Sequence, residues 1–125
     1  STHPLVICDV AHNTSAIRLV FKQLSTYNQN KKVIIGFSKD KDLELIISSL
    51  PRCYEYYLCG SKHPRIIHPK KISHLLEKQN LSYQTYDCVV DAYDDWRKEN
   101  IDNSLLIITG STFIVSDILK YLDKV

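Results

Sequence analysis

Apolar runs and apolar stripes alternate along this chain. Leu5-Val6-Ile7-Cys8 is an unbroken apolar run, the pattern of a strand covered on both faces. It ends in Asp9, after which Ile17, Val20, Phe21 and Leu24 fall at i, i+3, i+4, i+7 spacing and predict a helix. Asn13 or Thr14 can cap that helix, because a short polar side chain accepts from the orphan amides of a first turn. Val33-Ile34-Ile35 predicts a second buried strand closed by Gly36, and Leu43, Ile46, Ile47 and Leu50 a second helix ended by Pro51. Cys53 to Cys59 reads as a third strand, closed by Gly60, whose tyrosines place it nearer a sheet edge. Pro69 suits the first turn of a helix striped with Ile72, Leu75 and Leu76. Ser82 to Cys88 alternates polar and apolar residues, as an edge strand does, and Val89, Ala92, Tyr93 and Trp96 face inward from the helix that follows. Leu105-Leu106-Ile107-Ile108 is the last and most apolar strand. Thr109-Gly110-Ser111 turns it into a helix whose Val115, Ile118, Leu119 and Leu122 pack back on the sheet.

Five strand–helix units in series predict a three-layer α/β/α Rossmann-like domain with a mainly parallel sheet of about five strands. At 125 residues the chain is a single domain, residues 1–125, large enough to bury about two thirds of its unfolded surface. A net charge of +2 makes no general case for nucleic acid, and no apolar run approaches the roughly 20 residues needed to span a bilayer. Neither a signal peptide nor an internal repeat is visible. Methionine is absent, so Ser1 is not a translation start and the chain reads as a processed piece or an excised domain. The four cysteines, Cys8, Cys53, Cys59 and Cys88, form no Cys-x-x-Cys pair, and buried free thiols favour a reducing cytoplasm. Cys59, His63 and His68 make one candidate zinc set. They lack a fourth ligand and a standard spacing, so no metal site is expected.

In parallel α/β sheets ligands bind beyond the carboxyl ends of the strands. Asp9, His12 and Asn13 fall there, and Gly36, Gly60 and Gly110 all follow predicted strands on the same rim. Each has a plain structural use as well: turn chemistry for the glycines, helix capping or loop closure for Asp9 and Asn13. Lys39-Asp40-Lys41-Asp42 is either a solvated turn with acids near a helix N-terminus or a cation meeting an anionic ligand, and Lys41 is as well placed as Lys39. Gly110-Ser111-Thr112 opens the last helix, where free amides favour an anion while Ser111 can serve as a cap. The loop from Ser61 to Lys71 carries Lys62, Arg65, Lys70 and Lys71 without an acid between them. A Gly-x-x-x-x-Gly-Lys-Ser/Thr phosphate loop and a Gly-x-Gly-x-x-Gly turn after the first strand are both absent, so neither device for cradling nucleotide phosphates is present.

Three segments in register carry a resemblance that covers nearly all 125 residues: DVAHN at 9 to 13, IIGFSKDKDLE at 34 to 44, and LLIITGSTFIVSDIL at 105 to 119. Together the chain resembles the C-terminal domain of the folylpolyglutamate synthase and dihydrofolate synthase family, the folate branch of the Mur ligase superfamily. The resemblance implies ATP-dependent ligation of L-glutamate to a carboxylate of a folate or of dihydropteroate, through an acyl phosphate. It also implies an upstream ATPase domain that holds ATP and Mg2+, a site in the cleft between the domains, a monomer, and no activity for the isolated domain. It assigns Asp9 to ATP and to catalysis and His12 to catalysis and use of glutamate, with Asn13 supporting it. Lys39 matches a substrate-binding lysine of related muramyl ligases, and Ser111 suits a glutamate carboxylate. Two positions depart from the family pattern: Thr14 stands for a proline and Val10 for a common glycine. The alternatives are a muramyl peptide ligase domain and a non-catalytic doubly wound binding module.

Overall fold

In the computed structural model, residues 5–11, 13–39, 42–99 and 104–124 are described. The elements alternate strictly: β1 (Leu5–Cys8), α1 (Thr14–Leu24), β2 (Asn30–Ile35), α2 (Leu43–Ser48), β3 (Glu55–Cys59), α3 (Pro69–Lys78), β4 (Ser82–Tyr86), α4 (Val89–Glu99), β5 (Ser104–Thr109) and α5 (Thr112–Asp123). The five strands form one sheet in the order β1-β5-β2-β3-β4, and every pairing is parallel.

Because successive strand side chains point to opposite faces, the sheet supports two cores. Val33, Ile35, Tyr56, Leu58, Leu105 and Ile107 face one way and meet Ile17, Val20, Phe21 and Leu24 of α1, Ile46 and Ile47 of α2, and Ile72 and Leu76 of α3. Ile34, Tyr57, Cys59, Leu106 and Ile108 face the other way and meet Val89, Ala92 and Trp96 of α4 with Ile114 and Ile118 of α5. Full burial of each such aliphatic side chain contributes roughly 1.5–3 kcal/mol. The sheet is therefore sandwiched as the alternation of elements requires.

Two local expectations, the full burial of β1 and the packing of Leu119, are corrected by the structure. The β1 run is only half-buried: β1 is an edge strand that pairs with β5 alone, and although Ile7 packs on the first core and Val6 and Cys8 on the second, Leu5 is 39% exposed. The tyrosine-rich β3 lies beside the edge strand β4, as its composition suggests, although it is itself paired on both sides, with β2 and β4, and Tyr56 and Tyr57 are buried. Their hydroxyls explain how tyrosine is accommodated inside: the Tyr56 hydroxyl donates to the Pro51 carbonyl at 2.6 Å, satisfying the one polar atom that burial would otherwise leave without a partner. Leu119 does not pack on the sheet and is 51% exposed. The edge assignment of β4 matches the structure.

The order of strands fixes where a ligand crevice can open. The α1 helix leaves β1 toward the first core and α5 leaves neighbouring β5 toward the second. Adjacent connections that part to opposite faces leave a gap at the strands' carboxyl ends, the switch point where doubly wound sheets bind ligands. Asp9, Gly110 and Ser111 follow those two strands directly.

Candidate functional site at the carboxyl ends of β1, β5 and β2

Backbone and short polar side chains tie three loops into one lip. The Asp9 amide donates to the Ile108 carbonyl at 3.0 Å, continuing the β1–β5 ladder one step beyond the strand. Asp9 then closes its own turn, Oδ1 accepting from the Ala11 amide at 2.9 Å. The Ala11 carbonyl in turn accepts from the Gly110 amide at 3.0 Å and from the Thr109 hydroxyl at 3.3 Å. The loop after β1 is thus pinned to the turn after β5.

Gly110 makes that turn possible. Its φ of +103° is one that L side chains rarely adopt, and a Cβ there would lie 2.3 Å from the Gly36 carbonyl oxygen. Gly36 in turn would bring a Cβ to 2.7 Å from Ile114 Cγ1. Two glycines therefore let the ends of β5 and β2 and the start of α5 touch.

The helix that leaves the turn is capped by Ser111, whose Oγ accepts from the Phe113 amide at 3.2 Å. The same Oγ lies 3.3 Å from Ser38 Oγ, and both serines are buried. Ser38 belongs to the loop after β2, which pairs through an antiparallel bridge with Ile66. The Lys39 amide donates to the Arg65 carbonyl at 2.8 Å and the Ile67 amide to the Phe37 carbonyl at 2.9 Å, so the basic loop buttresses the backbone that carries Lys39.

The structure thus brings Asp9, Ser111 and the Lys39 backbone onto one continuous lip. The Lys39 side chain is exposed, as is Asn13. Asn13 serves as the N-cap of α1, its Oδ1 accepting from the Ala16 amide at 2.9 Å. His12 and Lys41 lie outside the described residues. The suspected zinc set finds other partners: His68 caps α3 through Nδ1 and sets Nε2 3.5 Å from Asp87 Oδ1, while His63 Nδ1 accepts from the Arg65 amide at 3.2 Å. Among the described residues no group of three or more His, Cys, Asp or Glu converges to hold a metal ion, and all four cysteines are free. Burial pushes the Cys8 thiol up, so it is a neutral neighbour of the lip and not a thiolate nucleophile.

Two residues at the lip have no clear signature in the sequence. Ser38 gives no motif beyond its place two residues after Gly36. His63 stacks on Phe113, with ring centroids 3.7 Å apart, a pairing between residues fifty positions apart that spacing cannot reveal.

Replacing Ser111 by Ala removes the cap and leaves Ser38 Oγ facing a methyl group. We expect a loss of about 1–2 kcal/mol, seen as a fall in Tm of about 4–8 °C by differential scanning calorimetry. An unchanged Tm would show that the serine pair contributes nothing to the lip.

Comparison with known proteins agrees with this architecture. A dihydrofolate synthase/folylpolyglutamate synthase from Buchnera aphidicola is 27% identical over 126 residues, covering 98% of this chain and 29% of that enzyme. The crystal structure of the bifunctional folylpolyglutamate synthase/dihydrofolate synthase from Yersinia pestis, complexed with AMPPNP and a Mn ion, superposes with a TM-score of 0.79 at 25% identity, over 98% of this chain and 30% of that one. The Escherichia coli FolC structure in complex with ADP gives a TM-score of 0.81 at 25% identity, over 99% and 30% respectively. The chain therefore spans under a third of the length of the relatives it matches. The family model for the Mur ligase glutamate ligase domain matches residues 1–112, and the chain belongs to that family.

Proposed function

We propose that this chain is the glutamate-ligase domain of a folylpolyglutamate synthase/dihydrofolate synthase, and that the polypeptide carrying it joins L-glutamate to a folate or dihydropteroate carboxylate at the expense of ATP. Family membership over residues 1–112 carries this reading, together with relatives that bear that name along nearly the whole chain. The lip at the switch point supports the choice of place, since Asp9, the Ser111 cap and the Lys39 backbone belong to one hydrogen-bonded frame.

The parts divide by their chemistry. Asp9, an acceptor-only carboxylate held by its turn with Ala11, suits a ribose hydroxyl of the nucleotide. The amide-bearing start of α5 at Ser111 suits the carboxylate of the incoming glutamate, because free helix amides and the dipole favour an anion there. The exposed side chain of Lys39 adds a positive charge to the same lip. His12, with Asn13 next to it, is assigned to handling that glutamate at neutral pH. ATP supplies the phosphoryl group that turns the acceptor carboxylate into an acyl phosphate, leaving ADP, and the glutamate amine then attacks the acyl carbon, forming the amide as inorganic phosphate departs and the amine gives up its proton. This chain's contribution is proximity: it holds the amine in line and closes the cleft against water.

The described residues of this chain do not fit a divalent metal. Mg2+ and the triphosphate are assigned to an ATPase domain of the same polypeptide, and the reaction to a cytoplasmic monomer. Incubation of the polypeptide that includes such a domain with ATP, Mg2+, radiolabelled L-glutamate and either dihydropteroate or a reduced folate should transfer label to the pteridine. The 125-residue chain alone should transfer none. Label transfer by the chain alone, or none by the longer polypeptide with either acceptor, would refute the proposal.

A further inference from the structure

A second feature lies beside the lip, in a groove of about 650 Å³ between the loop that follows β3 and the flank of α5. Its walls include Lys62, His63, Asp117, Lys120, Tyr121 and Lys124. Among the described residues, none of the three lysine ammonium groups makes an ion pair or hydrogen bond. The one carboxylate in the wall is already engaged, since Asp117 Oδ2 accepts from the Ser61 hydroxyl at 2.9 Å. Three ammonium groups against one carboxylate leave the groove with an excess of two positive charges.

The groove is built, not merely lined. Ser61 Oγ donates to Asp117 and accepts from the His63 amide at 3.1 Å, His63 Nδ1 accepts from the Arg65 amide, and the His63 ring stacks on Phe113. The loop is thereby fixed to α5 at both Phe113 and Asp117. Phe113 sits two residues past the Ser111 cap, so the groove starts where the lip ends. Phe113, Asp117, Lys120 and Lys124 recur along one stripe of α5, and the helical rise makes that stripe roughly 16 Å long.

We propose that this groove binds the γ-linked oligoglutamate tail of a folate already extended by one or more glutamates. The inference rests on the function proposed above. A γ-linked chain presents one α-carboxylate about every 6 Å, from standard bond lengths, and Lys120 and Lys124 are spaced about 6 Å along the helix axis by its rise. Val89, Val90 and Tyr121 of the same groove would face the methylene stems between those carboxylates. Growth at the lip would feed the tail into the groove, so the groove would favour acceptors that already carry a tail.

The test titrates this chain with γ-linked tetra-L-glutamate by calorimetry at low salt, with α-linked tetra-L-glutamate and free L-glutamate beside it. The γ-linked peptide should bind at least tenfold more tightly than either, and the affinity should fall steeply as salt screens the lysines. A Lys62→Glu/Lys120→Glu/Lys124→Glu variant, its fold checked by circular dichroism, should lose at least thirtyfold in affinity. Lys78→Glu, on α3 at the opposite face, should lose none. Equal binding of the α- and γ-linked peptides, or an unaltered affinity in the triple variant, would overturn the proposal. In the longer polypeptide the triple variant should add glutamate to a tail-free acceptor at the wild-type rate while losing its preference for acceptors with a tail. Failure of the wild-type polypeptide to add glutamate at all would refute the functional reading instead, separately from what the chain binds.

Discussion

Gly110→Ala should be the most destabilising single substitution at the lip, lowering stability by about 3–5 kcal/mol. Two independent costs combine. An alanine held at φ +103° pays the strain of a region L residues avoid, about 1–3 kcal/mol. Its Cβ would also sit 2.3 Å from the Gly36 carbonyl oxygen and 2.8 Å from Ile35 Cγ1, and forced overpacking of that kind adds about 1–3 kcal/mol. Backbone cannot swing aside as a flexible side chain can, so the loops after β5 and β2 would have to part. Against the 5–15 kcal/mol typical of a whole domain, the loss should appear as a fall in Tm of about 12–25 °C and a lower midpoint in urea. Gly60→Ala is the control: its Cβ would approach the Asp87 carbonyl and Pro69 Cδ only to 3.0 Å, and about 1 kcal/mol is expected. If the two alanines cost the same, contact between the β5 and β2 ends does not hold the lip together.

That contrast shows how much of the molecule was legible in its sequence. The order of the elements followed from apolar periodicity, because a strand and a helix bury different spacings of the same residue types. Register and neighbour relations did not follow. Nothing in Leu5-Val6-Ile7-Cys8 distinguishes an edge strand from a central one, since its run is apolar in either case and only the return of β5 between β1 and β2 decides its exposure. Tyr56 and Tyr57 point to the place of β3 beside the edge strand but not to their own burial: tyrosine is tolerated inside wherever its hydroxyl finds a partner, and the Pro51 carbonyl that serves Tyr56 from five positions away is fixed only by how the intervening turn folds. At the site, Asp9 and Ser111 were visible because each breaks an apolar run at a strand end. The contact between Ser111 and Ser38, and the stacking of His63 on Phe113, span 73 and 50 positions and depend on how two loops meet. Local chemistry can be read along a chain, whereas convergence has to be seen.

Asp9→Asn separates the two uses of the residue at the centre of the lip. Asparagine keeps an Oδ1 that can accept from the Ala11 amide, so the turn now closed at 2.9 Å survives, and with it the attachment of Ala11 to Gly110 and Thr109. What it loses is the negative charge and half of the acceptor capacity. If Asp9 only closes its loop, the polypeptide carrying this domain should keep both its Tm and its kcat/KM for ATP. If Asp9 accepts from the nucleotide as proposed, Tm should stay within a degree or two while kcat/KM falls about 10–100-fold, the effect of losing one hydrogen bond to a charged group, about 1.5–3 kcal/mol. Asp9→Ala removes both functions, so it should add a measurable loss of stability to a catalytic defect at least as large. Steady-state kinetics with ATP varied at saturating glutamate and folate, alongside calorimetry of each variant, give the comparison. Wild-type kinetics in Asp9→Asn would reduce Asp9 to a structural residue and move the nucleotide contact elsewhere on the lip.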